Sequence, residues 1–258
     1  MDFENAIAGL DISLFSAIES QSTDDDKRSL LACQLAVREL RDPYTYLEIG
    51  SYIGGSIQPY LLDPRCKRIY SIDKRPAKQP DERGIDYIYE NNSTARMMAN
   101  LESVSSTTKV TTIDGDASMI DPAAIETPVD LCFIDGEHTD RAVFADFRFC
   151  LNVLGESGAI VFHDSMITYN GIAECIRYLE SQGIQHRAYS LPSIVFVIEL
   201  NHFPLHQNRS VLNLLTNNHK SYIYSLQEND YYRRFAQKTP FRLYRRLLSR
   251  FQRNNVSK

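Results

Sequence analysis

Residues 48–56 read Glu48-Ile49-Gly50-Ser51-Tyr52-Ile53-Gly54-Gly55-Ser56, three glycines in a nine-residue stretch that begins at the end of the apolar run Thr45 to Ile49. Glycines let a backbone turn sharply and come close to a ligand, and a helix expected over 55–62 adds unpaired N–H groups at its start. Outward from this loop, short apolar runs alternate with helical segments. Strands are expected at 45–49, 68–72, 109–113, 129–134 and 159–162, with helices at 93–102, 121–125, 141–154 and 171–182. Runs this short and apolar suit strands covered on both faces, hence a parallel sheet built from βαβ units. Segments 186–189 and 194–199, with Pro192 in their short connection, predict a terminal antiparallel hairpin. The expected fold is therefore α/β: a Rossmann-like, doubly wound, mostly parallel seven-stranded sheet over 41–200, N-terminal helices over 1–40 and a helical C-terminal extension over 201–258. Within 1–40, Phe3, Ile7, Leu10, Leu14 and Ile18 predict one amphipathic helix over 3–18. A second helix starts near Ser22 to Asp26 and ends at Asp42-Pro43.

The 258 residues are 43% hydrophobic and 24% charged, which is ordinary for a soluble globular chain with one main domain. Cysteines 33, 66, 132, 150 and 175 are odd in number and lack Cys-x-x-Cys spacing, so neither a disulfide framework nor a zinc knuckle is expected. Without a basic and then apolar leader at Met1-Asp2-Phe3-Glu4-Asn5, and without an apolar run of about 18 residues, a cytoplasmic location is expected. The net charge of −5 is unevenly spread. Residues 238–258 hold seven basic and no acidic side chains, leaving 21 basic against 33 acidic in the remainder. Within this tail, Phe241, Tyr244, Leu248 and Phe251 form an apolar stripe flanked by arginines. Such a helix can lie peripherally on an anionic membrane, at the inner face of one, or dock on the body or on a second copy as a homo-oligomer. Nucleic acid is not expected as a partner, because the basic stretch is confined to the tail.

In an open parallel sheet, ligands bind beyond the carboxyl ends of the strands. The second strand ends at Asp73, whose carboxylate can accept ribose hydroxyl protons or simply cap a helix. The third ends at Gly115-Asp116-Ala117-Ser118, the fourth at Asp135-Gly136-Glu137-His138 and the fifth at His163-Asp164-Ser165. Adjacent strands would gather Asp135, His163 and Asp164, two carboxylates and an imidazole suited to a divalent ion, or to a metal-free polar site. His138 is three positions beyond Asp135, within reach of the same substrate as a general base, or it caps the helix that follows.

At these residues the chain resembles the class I S-adenosylmethionine-dependent methyltransferases. Glu48 to Ser56 is similar to their first motif in the E-x-G-x-Y-x-G-x-S form of catechol-type O-methyltransferases. The Asp-x-x-base segment with a metal pair after strand five resembles metal-dependent natural-product and sugar enzymes, a group that includes cephalosporin-hydroxylase-like proteins. The resemblance spans about residues 40–200. It implies that Gly50 and Gly54 pass under the methionine part of S-adenosylmethionine, that Asp73 binds ribose and that Asp116 lies near adenine. Glu48 would anchor the loop or reach the cofactor's amino group, and Ser51, Tyr52, Ser56 and Asp135 complete the cofactor-binding set. It further implies magnesium on Asp135, His163 and Asp164, His138 as base, and a small hydroxylated acceptor such as a sugar or glycoconjugate. Many of those enzymes carry two acids where this chain has His163 and Asp164. Tyr52 stands where a dinucleotide loop needs a second glycine, which disfavours the rival readings, an NAD-binding oxidoreductase or epimerase. A non-catalytic or accessory protein on the same fold would keep the loop and lose turnover.

Overall fold

The computed structural model describes residues 2–84 and 86–216, with isolated positions 218, 223, 240 and 243 beyond. Two compact units divide the chain, 1–217 and 218–258, and every element below belongs to the first. The helix expected near 241–253 lies, but for position 243, outside the described residues.

β1 (Tyr44–Ile49) sits at the centre of the sheet, every one of its residues buried. Its period-2 alternation serves two cores: Tyr44 and Tyr46 face one helical layer, Leu47 and Ile49 the other. β2 (Cys66–Asp73) and β5 (Val110–Asp114) follow on one side, β6 (Val129–Ile134) and β7 (Leu154–Phe162) on the other, all parallel. β8 (His186–Ser190) and β9 (Phe196–Leu200) close the sheet antiparallel, in the order β5-β2-β1-β6-β7-β9-β8. The order reverses between β1 and β6, which fixes where a ligand crevice opens. α1 (Phe3–Ala8), α2 (Asp24–Leu40), α3 (Gln58–Leu62), α4 (Thr94–Val104) and α7 (Arg209–Thr216) supply one layer; α5 (Asp140–Val153) and α6 (Tyr169–Ser181) supply the other. This is the expected α/β class, with its seven strands and terminal hairpin.

Several boundaries differ for local reasons. The single helix expected over 3–18 is broken: α1 stops at Ala8, Leu10 takes φ 49°, and Asp11 caps a separate 3-10 turn, Ile12–Phe15. The helix expected over 121–125 is one 3-10 turn, Pro122–Ala124. α3 starts at Gln58 rather than at 55, because the preceding residues are held as a loop. β9 starts at Phe196 rather than at 194, and β7 extends back to Leu154. An antiparallel ribbon, β3 (Lys78–Pro80) with β4 (Asp86–Ile88), lies between β2 and α4 where no strand was expected.

Candidate active site

Glu48 fixes the loop that follows β1. It is fully buried, accepts from Tyr46 Oη at 2.6 Å, and accepts from Ser56 Oγ at 2.6 Å, tying the far end of the loop to the strand. Ser71 Oγ donates to Ser51 Oγ at 2.7 Å and pins the near end. Gln58, also fully buried, donates to the carbonyls of Phe15, Ile18 and Gly55 and accepts from the amides of Ala17 and Ile18. That one side chain sews the N-terminal segment over the loop. A Cβ at Gly55 would stand 2.3 Å from the carbonyl oxygen of Glu19, so the two backbones touch. At Gly50, with φ +93°, a Cβ would lie 2.1 Å from the carbonyl oxygen of Asp135, so only glycine lets the β1 and β6 loops approach.

Burial pushes the Glu48 carboxyl up to about 7, against the Ser56 and Tyr46 hydrogen bonds that favour its charged form. Its folded value lies above the usual 4.5, so the native state holds a proton that the unfolded chain releases. Stability is then lost as pH rises from about 4.5 through about 7, by about 3 kcal/mol at 1.36 kcal/mol per unit. The thermal midpoint is expected to fall between pH 5 and pH 8. Glu48→Gln should flatten that slope; an unchanged slope in the variant would assign it to other groups.

A cavity of about 440 Å³ opens at the carboxyl edge of the sheet, within the range of roughly 300–1,000 Å³ typical of small-molecule sites. Gly50, Ser51, Tyr52, Ser56, Asp73, Asp135, His138, His163 and Asp164 all line it. Tyr52 and Asp164 hold φ 41° and 51°, an uncommon conformation for non-glycine residues that concentrates at ligand sites. Asp73 is not a helix cap: Oδ2 accepts the Tyr52 amide at 2.9 Å and Arg75 Nη1 at 3.2 Å, and Oδ1 accepts the Arg75 amide at 2.7 Å. Three sequence candidates stand outside the lining. Glu48 is enclosed behind the loop, Gly54 faces Leu101 and Met97 of α4, and Asp116 caps the 3-10 turn Ala117–Met119 while pairing with Lys74 at 2.9 Å.

The polar cluster lies at the ends of β6 and β7. His138 Nε2 is 3.1 Å from Asp164 Oδ2, and its Nδ1 is 3.4 Å from Asp81 Oδ2. Asp81 follows β3, its side chain wholly buried, and Arg83 grips it through the amide, Nε and Nη2 at 2.7–2.9 Å. That grip holds the Asp81 carboxyl below its ordinary range. The Glu82 amide also donates to the His138 carbonyl at 3.0 Å, so the ribbon clasps both ends of this histidine. α5 is capped by Thr139 rather than by His138, whose imidazole lines the cavity.

His163 is surrounded by acids. Its Nδ1 stands 3.0 Å from both Asp135 Oδ1 and Asp164 Oδ2, and its Nε2, buried without a hydrogen bond, faces Asp26 Oδ2 at 3.5 Å. Burial works against a charge here, yet Asp135, Asp164 and Asp26 outweigh it and raise the His163 pKa well above the ordinary 6.5. In turn, despite burial, His163 and Thr23 hold Asp26 down to about 2. The donors within 4.8 Å of one another are Asp135, His138 and Asp164. His163, expected as the third ligand, is outside that set; its Nδ1 stands between the carboxylates of Asp135 and Asp164.

Sequence reading missed Asp81, Arg83, Tyr87 and Tyr89 of the ribbon segment, Asp26 of α2, and the polar wall Glu19 to Thr23. Tyr87 and Tyr89 line the cavity, with Tyr89 set edge-on to Tyr52 at 5.0 Å and Tyr87 to His138 at 5.5 Å.

Residues 47–165 match the family model described as a methyltransferase domain. A curated relative, uncharacterized protein R132 of Acanthamoeba polyphaga mimivirus, is 24% identical over 124 residues, 48% of this chain and 52% of that protein; the chain thus spans about half of its length. Similar solved structures include CalS11, a calicheamicin methyltransferase (15% identity, 76% of this chain and 91% of that one, TM-score 0.49). Another is the O-methyltransferase TomG from Streptomyces achromogenes (15% identity, 76% and 88%, TM-score 0.48). Over residues 47–165, somewhat less than half of the chain, the sequence is thus similar to the methyltransferase-domain family.

Proposed function

We propose that this protein transfers a methyl group from S-adenosylmethionine to a hydroxyl of a small, hydroxyl-rich acceptor such as a sugar, with His138 as general base. The observation that carries the reading is His138 held between Asp81 and Asp164 on the wall of the cavity that the β1 loop also lines. Bound S-adenosylmethionine supplies an already electrophilic methyl, so the protein has to align an oxygen nucleophile and help it lose a proton. Asp81, kept anionic by Arg83, faces Nδ1 and favours the tautomer with its proton there. Nε2 lies 3.1 Å from Asp164 Oδ2, and an acceptor hydroxyl lodged beside the two would take over that contact and give its proton to Nε2. The polar side chains of 19–23, which also line the cavity, offer hydrogen bonds to further hydroxyls, which favours a polyhydroxylated acceptor over an aromatic one.

Asp135 and Asp164 offer two carboxylates to a hard divalent ion such as magnesium; His138, whose donor atom lies within 4.8 Å of theirs, would stand beside that ion as the base and not as a ligand. There the ion would supply a lowered hydroxyl pKa and a fixed oxygen position. His163 Nδ1 lies 3.0 Å from both carboxylates, so an ion binding there has to share them with this imidazole.

Titration calorimetry with S-adenosylmethionine, S-adenosylhomocysteine and NAD tests the cofactor, followed by a screen of sugar, phenol and macrolide acceptors with methyl-labelled cofactor. Binding of the first two and not of NAD is expected, with transfer to a hydroxyl that EDTA abolishes while cofactor affinity persists. Preference for NAD would overturn the reading, and full turnover in EDTA would remove the metal from it.

A further inference from the structure

The antiparallel ribbon of β3 and β4 has two unlike faces. Its register sets Gln79 opposite Tyr87, and the period-2 alternation of extended chains puts Asp81 and Tyr89 on the same side. The pairing continues past β4, since the Tyr89 amide donates to the Ala77 carbonyl at 2.9 Å. That side is turned inward: Gln79, Tyr87 and Tyr89 line the cavity, and the Asp81 carboxylate faces His138. The other side, made of Lys78, Pro80, Asp86 and Ile88, is exposed. Gln79 and Tyr89 are each 8% exposed, yet the Gln79 amide group and the Tyr89 hydroxyl make no hydrogen bond with any described residue. A buried polar group without a partner costs stability unless something satisfies it. Tyr87 is fixed by contrast: its hydroxyl accepts from Arg83 Nη2 at 2.6 Å, and its ring stands 6.5 Å from that of Tyr89, within 30° of parallel.

We infer that the inner face of this ribbon is the acceptor's subsite and takes a pyranose, whose C–H face lies on the tyrosine rings while its hydroxyls meet the Gln79 amide and the Tyr89 hydroxyl. The inference rests on the methyl-transfer reading and deepens it by naming the groups that choose the acceptor. This face borders the base: Tyr87 stands edge-on to His138 at 5.5 Å, and Asp81 on the same face contacts that imidazole. A sugar held there presents a hydroxyl where Nε2 can take its proton. Tyrosine rings offer rigid apolar surface to the C–H face of a pyranose. A side-chain amide carries two donors and two acceptor lone pairs, the complement of neighbouring hydroxyls that each donate and accept. Burial, with the Asp135 and Asp164 charges, pushes the Tyr89 phenol up, so its hydroxyl stays protonated and can donate. A simple phenol covers the rings but places its one hydroxyl at His138, leaving both head groups unpaired.

The test is ligand-observed saturation-transfer NMR on the full chain saturated with S-adenosylhomocysteine, titrating the methyl pyranosides of glucose, galactose and mannose against phenol. At least one pyranoside is expected to bind about tenfold or more tightly than phenol, with saturation strongest on the C–H protons of one ring face. Tyr89→Phe and Gln79→Leu keep the bulk and remove the head groups. Each should weaken that pyranoside about tenfold and leave phenol binding as it was. Tyr87→Ala should abolish the one-sided saturation; if it does not fold, the Phe and Leu variants decide. Binding of no pyranoside, tighter binding of phenol, or wild-type pyranoside affinity in both variants would overturn the inference and leave the methyl-transfer reading standing. An equal loss of S-adenosylhomocysteine affinity in the two variants would assign both head groups to the cofactor and overturn it as well. Failure of the wild-type chain to bind S-adenosylhomocysteine would instead defeat the methyl-transfer reading and the inference with it.

Discussion

Arg38→Ala is expected to destabilise the fold by about 3–5 kcal/mol, the cost of stripping one partner from a buried ion pair. Arg38 of α2 is 3% exposed and Asp63, at the end of α3, is fully buried; they meet through Nε at 3.0 Å and Nη2 at 3.3 Å. Removing the guanidinium leaves the Asp63 carboxylate with neutral donors only: Gln34 at 3.2 Å, Tyr44 Oη at 2.8 Å and the Arg65 amide at 2.9 Å. Those satisfy its lone pairs without offsetting its charge. The same arginine reaches Glu4 of α1 at 2.7 and 2.9 Å, but that carboxylate is half exposed, so Glu4→Ala should cost much less. Urea unfolding of the two variants measures the contrast. Equal losses would mean that Arg38 acts through α1 docking rather than through the charge it neutralises at Asp63.

The strands at 45–49 and 129–134 were legible because fully covered strands read as continuous apolar runs, and their ends announced Gly50, Asp135 and His138. Helix 3–18 was misread because Leu10 and Leu14 keep helical spacing across a break that only φ 49° at Leu10 reveals. The ribbon at 78–88 was illegible for a different reason. Its strands are three residues each, largely exposed, and contain Lys78, Pro80 and Asp86 instead of an apolar alternation. The one signal there, Asp81-Glu82-Arg83-Gly84, is turn chemistry, and it says nothing of an imidazole 57 positions further along the chain. Likewise the pairing of Asp26 with His163 joins α2 to β7, a long-range contact that no local pattern encodes. Strand ends thus gave the half of the site that the parallel sheet aligns. The groups that orient and neutralise it come from peripheral segments whose placement is tertiary.

That division makes His138 the sharpest probe of the chemistry. His138→Ala is expected to lower kcat for methyl transfer about 10²–10⁴-fold, the usual contribution of a positioned acid or base. Cofactor affinity should stay unchanged, since the β1 loop is held by Glu48, Ser71 and Gln58 without help from this residue. The vacated space should admit added imidazole and restore part of the rate, a response that a merely structural role would not give. Asp81→Asn keeps the side-chain shape and removes the charge facing Nδ1 at 3.4 Å, so a smaller loss is expected, in kcat rather than in KM. If Asp81 acts through the imidazole, the double variant should be no slower than His138→Ala alone, because residues working as a unit are not additive. A wild-type rate in His138→Ala would exclude it as the base. Additive losses in the double variant would cut the link between the ribbon and the histidine and give Asp81 a separate part in acceptor binding.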